Sequence, residues 1–226
     1  PKELIKMEYN KKIVGPLFRT IASNGTAPNQ GCELFGAGYE DAFARLLEEI
    51  VEGVFEDGCS AERFIVGPYG SGKTHFLRQF CALAEDRGCV TSEISLTKAL
   101  DYTNGLVVYK EIAKHIKPPE STAKGIKGLL TTSLDKAKET FTSDDEIDAW
   151  ITTFEEHQFK NDDFGRVVCA ALKAIQEDDR ENAATLCRWL QGEIDNRNLI
   201  KSMPLGLFVN PVPKAQHGLV ALQLMC

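Results

Sequence analysis

Eight consecutive residues, Gly67-Pro68-Tyr69-Gly70-Ser71-Gly72-Lys73-Thr74, have the types and spacing to hold a phosphate chain. They fit G-x-x-x-x-G-K-[ST], the phosphate-binding P-loop. The glycines let the backbone curl until successive N–H groups point at one anion. Lys73 supplies a positive charge for the β- and γ-phosphates, and the Thr74 hydroxyl is the candidate ligand for Mg²⁺. A helix starting here aims its free N–H groups and the positive end of its dipole at the same phosphates. The candidate nucleotide-binding residues are Gly67, Pro68, Tyr69, Gly70, Ser71, Gly72, Lys73, Thr74 and His75, with Thr74 the candidate metal ligand.

Such a loop works only between a strand and a helix. Arg63-Phe64-Ile65-Val66 precedes it, a short apolar, β-branched run that reads as a buried parallel strand. Phe76, Leu77, Phe80, Leu83 and Ala84 follow at helical spacing, and Gly88 closes that helix. Residues 89–96 alternate apolar and polar side chains and read as a second strand. Strand, loop, helix and strand make a βαβ unit, so the expected sheet is parallel with a right-handed crossover. Glu93 on the second strand is a minor candidate for a polar role near the phosphates, a strand-face carboxylate being its plainer reading.

Upstream, Leu34-Phe35-Gly36-Ala37-Gly38-Tyr39-Glu40 leads into a long amphipathic helix. Phe43, Leu46, Leu47, Ile50, Val51, Val54 and Phe55 follow the i, i+3, i+4, i+7 pattern, Glu40 and Asp41 favour its start, and Gly58 ends it. Before it, Ile13, Leu17, Phe18 and Ile21 suggest a short helix, and residues 24–31 a loop. Downstream the pattern turns helical. A first stripe starts after Asn104 and is stopped by Pro118-Pro119, and a second carries Ile126, Leu129, Leu130, Leu134 and Ala137. Ser143-Asp144-Asp145-Glu146 is a capping box opening a helix with Trp150, and two more helices run to about Gly192. Seven lysines fall between Lys110 and Lys138; a solvated helix face explains them better than contact with a phosphate backbone.

From Pro204 to Cys226 the character changes. Lys214 is the one side chain charged at neutral pH, and neither amphipathic period nor cap is present, so this tail is expected to be poorly ordered. The acid-tipped apolar strand that completes a hydrolytic P-loop site is not found after the loop: Leu207-Phe208-Val209 ends in Asn210, and no arginine follows Arg197. Either the chain binds nucleotide without turnover, or it is the front part of a longer ATPase, incomplete at its C-terminus through truncation or a frameshift. An ATPase assignment therefore stays open at the level of catalysis, with no catalytic residue named.

Composition narrows the setting. Of 226 residues, 43% are hydrophobic and 26% charged, and the net charge of −7 argues against a broad nucleic-acid surface. Seven cysteines without a C-x-x-C pair, and no leader-like start, suggest reduced thiols in the cytoplasm. No apolar run approaches the roughly 20 residues that span a membrane, so no membrane partner is expected.

Taken together, the 34–40 stretch with its helix, the segment from Arg63 to Leu77, and Ser92-Glu93-Ile94-Ser95-Leu96 resemble a family of P-loop ATPases once described only as a domain of unknown function. That family includes the ATP-binding protein of BREX-type anti-phage systems in bacteria and archaea, and it is similar to AAA+ ATPases of the origin-recognition and STAND branches. The resemblance covers roughly residues 10–200, and its specific part is the P-loop with its flanks. It implies an α/β fold, an AAA+/ASCE-like P-loop NTPase with a parallel sheet core and a large α-helical block. It also implies ATP and Mg²⁺ as cofactors and the 34–40 stretch as the adenine-side wall. Partners would be other defence-system proteins and DNA, reached through a missing C-terminal part. The expected organisation is an N-terminal helix and loop over 1–33, a nucleotide-binding core over 34–103, a helical block over 104–200 and an atypical tail over 201–226. The competing functions are a nucleotide-sensing regulatory module without turnover and a small-molecule kinase of the nucleoside-monophosphate type. The kinase reading needs acceptor-binding acids and lid arginines, and the arginines after the P-loop helix are only Arg166, Arg180, Arg188 and Arg197.

Overall fold

In the computed structural model the described residues are 39–55, 59–156 and 162–193, with positions 15, 19 and 23. They fall into two compact units that meet between Arg87 and Gly88. The expected helix over residues 13–21 lies mostly outside the described residues, although Gly15, Arg19 and Ser23 are helical. The 24–31 loop, residues 34–38 and the tail from Pro204 also lie outside them.

In the first unit, α1 spans Glu40–Leu46, and its acidic start, Glu40 and Asp41, suits the helix dipole. The chain then continues as a π-helix over Leu47–Phe55. This corrects the expectation of one regular α-helix to Phe55. The wider winding persists to the end, where the Cys59 N–H donates to the Val54 carbonyl at 2.9 Å, an i to i+5 bond. Phe43, Leu47 and Ile50 form the buried stripe. The second helix of the unit, α2, spans Lys73–Glu85 and buries Ala84. Arg87 Nε donates to Glu52 Oε1 at 3.0 Å and ties the end of α2 to the π-helical stretch.

The expected strand at residues 63–66 is extended but unpaired among the described residues. Phe64 is 86% and Val66 93% exposed, so the reading of a buried strand is not met here. The reason is that a strand, unlike a helix, cannot bond its own backbone: it needs a neighbour. Among the described residues the sheet is a different one. β1 (Thr91–Ser92) pairs antiparallel with β2 (Ile116–Lys117), Thr91 opposite Lys117 and Ser92 opposite Ile116. The second expected strand, residues 89–96, thus shrinks to two ladder positions. Pro118 and Pro119, with no N–H to donate, end its partner at once.

The second unit is a helical bundle, and here the periodicity holds. Helix α3 spans Gly105–His115; Asn104 caps it, its side chain accepting from Leu106 N at 3.1 Å and Val107 N at 3.4 Å. Helices α4 (Gly125–Thr140), α5 (Asp144–Glu156), α6 (Asp162–Gln176) and α7 (Arg180–Leu190) follow. The capping box forms: Glu146 N–H donates to Ser143 Oγ at 3.3 Å, and Ser143 N–H to Glu146 Oε2 at 3.2 Å. Hydrogen bonds from Thr142 and Ser143 hold the Glu146 carboxyl below the usual range. The core contains Ile151, Val167, Ala171, Leu172, Leu186, Trp189 and Leu190, all at most 2% exposed. Tyr109 is buried as well, and its hydroxyl donates to the Leu190 carbonyl, joining α3 to the end of α7.

Candidate nucleotide site

Residues 67–74 connect the extended 63–66 segment to α2, within the first unit. Two glycines carry the left-handed backbone that the turn requires: Gly70 has φ +82° and Gly72 φ +81°. Gly72 is also the N-cap of α2, and no side chain caps that helix. Its leading N–H groups are therefore left for the loop and whatever enters it. Ser71 N–H closes a turn on the Pro68 carbonyl at 3.3 Å. A Cβ on Gly67 would lie 2.7 Å from Ser71 Oγ, so the two arms of the loop approach closely there and a larger residue would turn the Ser71 hydroxyl aside.

Lys73 takes the centre. Its ammonium donates to the carbonyls of Gly67 at 2.9 Å and Pro68 at 2.7 Å. Among the described residues the loop thus wraps a cation bonded to neutral carbonyls, with no carboxylate bonded to it. An entering phosphate would replace neutral carbonyls by full charge-assisted hydrogen bonds. Thr74, next on the helix, is exposed. Tyr69 is fully exposed on the loop.

The loop is backed by aromatic packing. Phe76 stacks on Phe43 with ring centroids 4.5 Å apart and meets Tyr39 edge-on at 5.4 Å. The start of α1 is thus fixed to the first turn of α2, and Tyr39, 44% exposed, borders the loop's helix. These ring contacts fix the approach angle of α2 beyond what area burial alone gives.

The structure brings residues 67–75 together on one loop and helix start, with Tyr39 on the aromatic cluster behind them. Glu93 is exposed in the second unit. Among the described residues no group of His, Cys, Asp and Glu side chains could hold a metal ion. No described helix is long and apolar enough to cross a membrane. One feature escaped the sequence reading: Gln79 Oε1 and His75 Nε2 are both buried without a hydrogen-bond partner among the described residues. The signal was present, two polar side chains one helical turn apart on α2.

No curated protein and no solved structure matches the chain. A family model does: the one described as BREX system ATP-binding protein BrxC/D matches residues 17–204, a span that contains the loop, both units' described helices and the aromatic cluster. On that match, the chain belongs to the BrxC/D family of BREX system ATP-binding proteins.

Proposed function

We propose that this chain binds ATP with Mg²⁺ through residues 67–75 and serves, as an AAA+-like cytoplasmic component, in a BREX-type defence system. The observation that carries the site is the Lys73 ammonium held at the centre of a loop whose turns rest on left-handed Gly70 and Gly72. On binding, Lys73 exchanges the Gly67 and Pro68 carbonyls for phosphate oxygens. The uncapped N–H groups of α2 meet the same anion, and Thr74 offers its hydroxyl to the metal. Tyr39, anchored on Phe76, borders the adenine side. We place residues 63–66 as a strand of a parallel P-loop sheet. The apolar, unpaired character of that segment supports this placement.

Titration calorimetry tests the site. Lys73→Ala should weaken ATP binding at least tenfold, about 1.4 kcal/mol. Equal affinity of wild type and variant would refute it. Turnover is a separate matter. Binding needs only the loop, Lys73 and Thr74, whereas hydrolysis also needs an acid to hold the metal and a group to orient water. The sequence supplies no acid-tipped strand after the loop, and this favours a second reading, nucleotide sensing without turnover. Phosphate release near the uncatalysed background, with measurable ATP affinity, would establish it. Steady turnover near 1 s⁻¹ that vanishes in Lys73→Ala would exclude it.

A further inference from the structure

Three features of the first unit are energetically costly, and they are connected. The first is the winding of residues 47–55. A π-helix of nine residues is a long run for a form that occurs mostly as single-turn bulges. At Gly53 the wide turn leaves no room: a Cβ there would lie 3.3 Å from the Glu48 carbonyl oxygen, five residues back. The crowding atom is backbone, held by the winding itself. Glycine escapes this contact, although alanine is the better residue in an α-helix. The second feature is the pair of buried polar atoms on α2. His75 Nε2 and Gln79 Oε1 lack a hydrogen-bond partner among the described residues, so each carries the desolvation cost of a bond not made. The third is Lys73, whose ammonium is occupied by the Gly67 and Pro68 carbonyls of its own loop.

Side chains of the π-helical stretch reach the chain on both sides of the loop. Glu49 Oε2 lies 3.7 Å from Arg63 Nη2, just ahead of the loop, and Glu49 Oε1 lies 3.5 Å from Arg45 Nη2 on α1. Glu52 Oε1 accepts from Arg87 Nε at 3.0 Å, beyond the far end of α2. The preceding helix α1 holds the first turn of α2 through the Phe43–Phe76 stack. Exposed ion pairs of this kind add little to stability. They are broken and remade at small cost, which suits a part that moves. Rewinding from bonds five residues apart to bonds four apart reduces the residues per turn. Glu49 and Glu52 then take new positions around the axis relative to Arg63 and Arg87.

We infer that residues 47–55 are a two-state element coupled to the nucleotide loop, π-wound while Lys73 rests on its own carbonyls and α-wound once a nucleoside triphosphate takes Lys73. The inference rests on nucleotide binding at residues 67–75. Phosphate oxygens that draw Lys73 away release the Gly67 and Pro68 carbonyls. The loop then shifts at Gly67, four residues after Arg63, and the Arg63–Glu49 pair carries the shift to the π-helical stretch. The Glu52–Arg87 bond passes the rewinding on to the end of α2. Relief of the wide winding supplies the free-energy difference between states that such coupling needs. A repacked α2 that pairs His75 and Gln79 adds to it.

Two measurements on the full chain test the coupling. Through-hydrogen-bond NMR couplings on perdeuterated protein identify the acceptor of each amide. Without ATP the amides of residues 52–55 should couple to carbonyls five residues back. Saturating ATP with Mg²⁺ should move them to carbonyls four residues back. Calorimetry reads the linkage. Gly53→Ala crowds the π winding and favours the α form, so it should tighten ATP binding about three- to fivefold, a gain that a merely structural residue would not give. In the Glu49→Gln, Glu52→Gln background the same substitution should leave ATP affinity unchanged, because the connection to the loop is cut. Lys73→Ala separates the two readings. ATP affinity equal to wild type in that variant would overturn the nucleotide site and this inference with it. Lys73-dependent ATP binding that leaves the acceptors of residues 52–55 unmoved would overturn this inference alone, as would a Gly53→Ala variant that binds ATP no more tightly than wild type.

Discussion

The two units use apolar residues in opposite ways. The helical bundle sinks its central side chains completely: Ile151, Val167, Ala171 and Leu172 are at 0% exposure. The unit that carries the loop buries Phe43, Leu47, Ile50 and Ala84, yet leaves Phe64, Val66 and Tyr69 in the open. A helix satisfies its own backbone and needs only one apolar stripe covered, so five consecutive helices can close a core among themselves. A strand is half a structure until another lies beside it. The difference teaches how each unit covers its apolar residues: the bundle closes its stripes helix on helix, while residues 63–66 of the loop unit have no ladder partner among the described residues.

The largest effect should come from the bundle. Leu172→Ala deletes a fully buried side chain and should cost about 2–5 kcal/mol in denaturant unfolding followed by the fluorescence of buried Trp189. A loss below 1 kcal/mol would mean that the bundle is not the tightly packed half of the molecule. Val66→Ala measures the other side of the comparison. If the parallel sheet we propose covers this residue, the substitution should cost about 1–2 kcal/mol. A change within about 0.5 kcal/mol would leave residues 63–66 without a partner, as an exposed position behaves.

Gly72→Ala forces a Cβ into φ +81° and should cost about 1–2 kcal/mol, expressed as weaker ATP binding because the helix start moves. Unaltered ATP affinity and stability would show that the left-handed turn is dispensable. Asn104→Ala removes the two cap bonds of α3 and should cost about 1 kcal/mol of unfolding free energy. In contrast, α2 starts without a side-chain cap.

The smallest effect is one of pH. Burial pushes the thiols of Cys169 and Cys187 up to about 11, from an ordinary value of 9.0. The unfolded chain ionises these thiols first. Their contribution to stability is therefore complete below pH 9 and is lost as pH rises towards 11. Cys187→Ala should flatten the fall in unfolding free energy over that window relative to wild type. An unchanged pH profile would mean that this thiol ionises equally in both states.

Much of the molecule was legible before any coordinates. Pro118-Pro119 set the end of α3, Ser143 and Glu146 set the start of α5, and the apolar stripes of the bundle mark the side chains that became its core. These signals are local: a cap, a breaker or a 3.6-residue period acts within a turn or two of itself. The glycine spacing and adjacent lysine of the loop were equally plain, and the structure gives Gly70 and Gly72 the left-handed backbone of a tight turn. The strands were not. Alternation in residues 89–96 promised a long strand, and the chain gave it two ladder positions, because Pro118-Pro119 in the partner ended the pairing. The π-helical winding after Leu47 is invisible in residue types, and no local feature accounts for it.

The sequence by itself determined the bundle's helices, their caps, the glycine-rich turn before α2 and the family to which the chain belongs. Only the tertiary structure decided how Lys73 sits among the carbonyls of its own loop, and that Tyr39 and Phe43 brace Phe76 behind it. The physical reason is range: propensity, capping and turn chemistry act between near neighbours in the chain. Strand pairing, ring packing and the summed field of separate charges exist only once distant segments have been brought together.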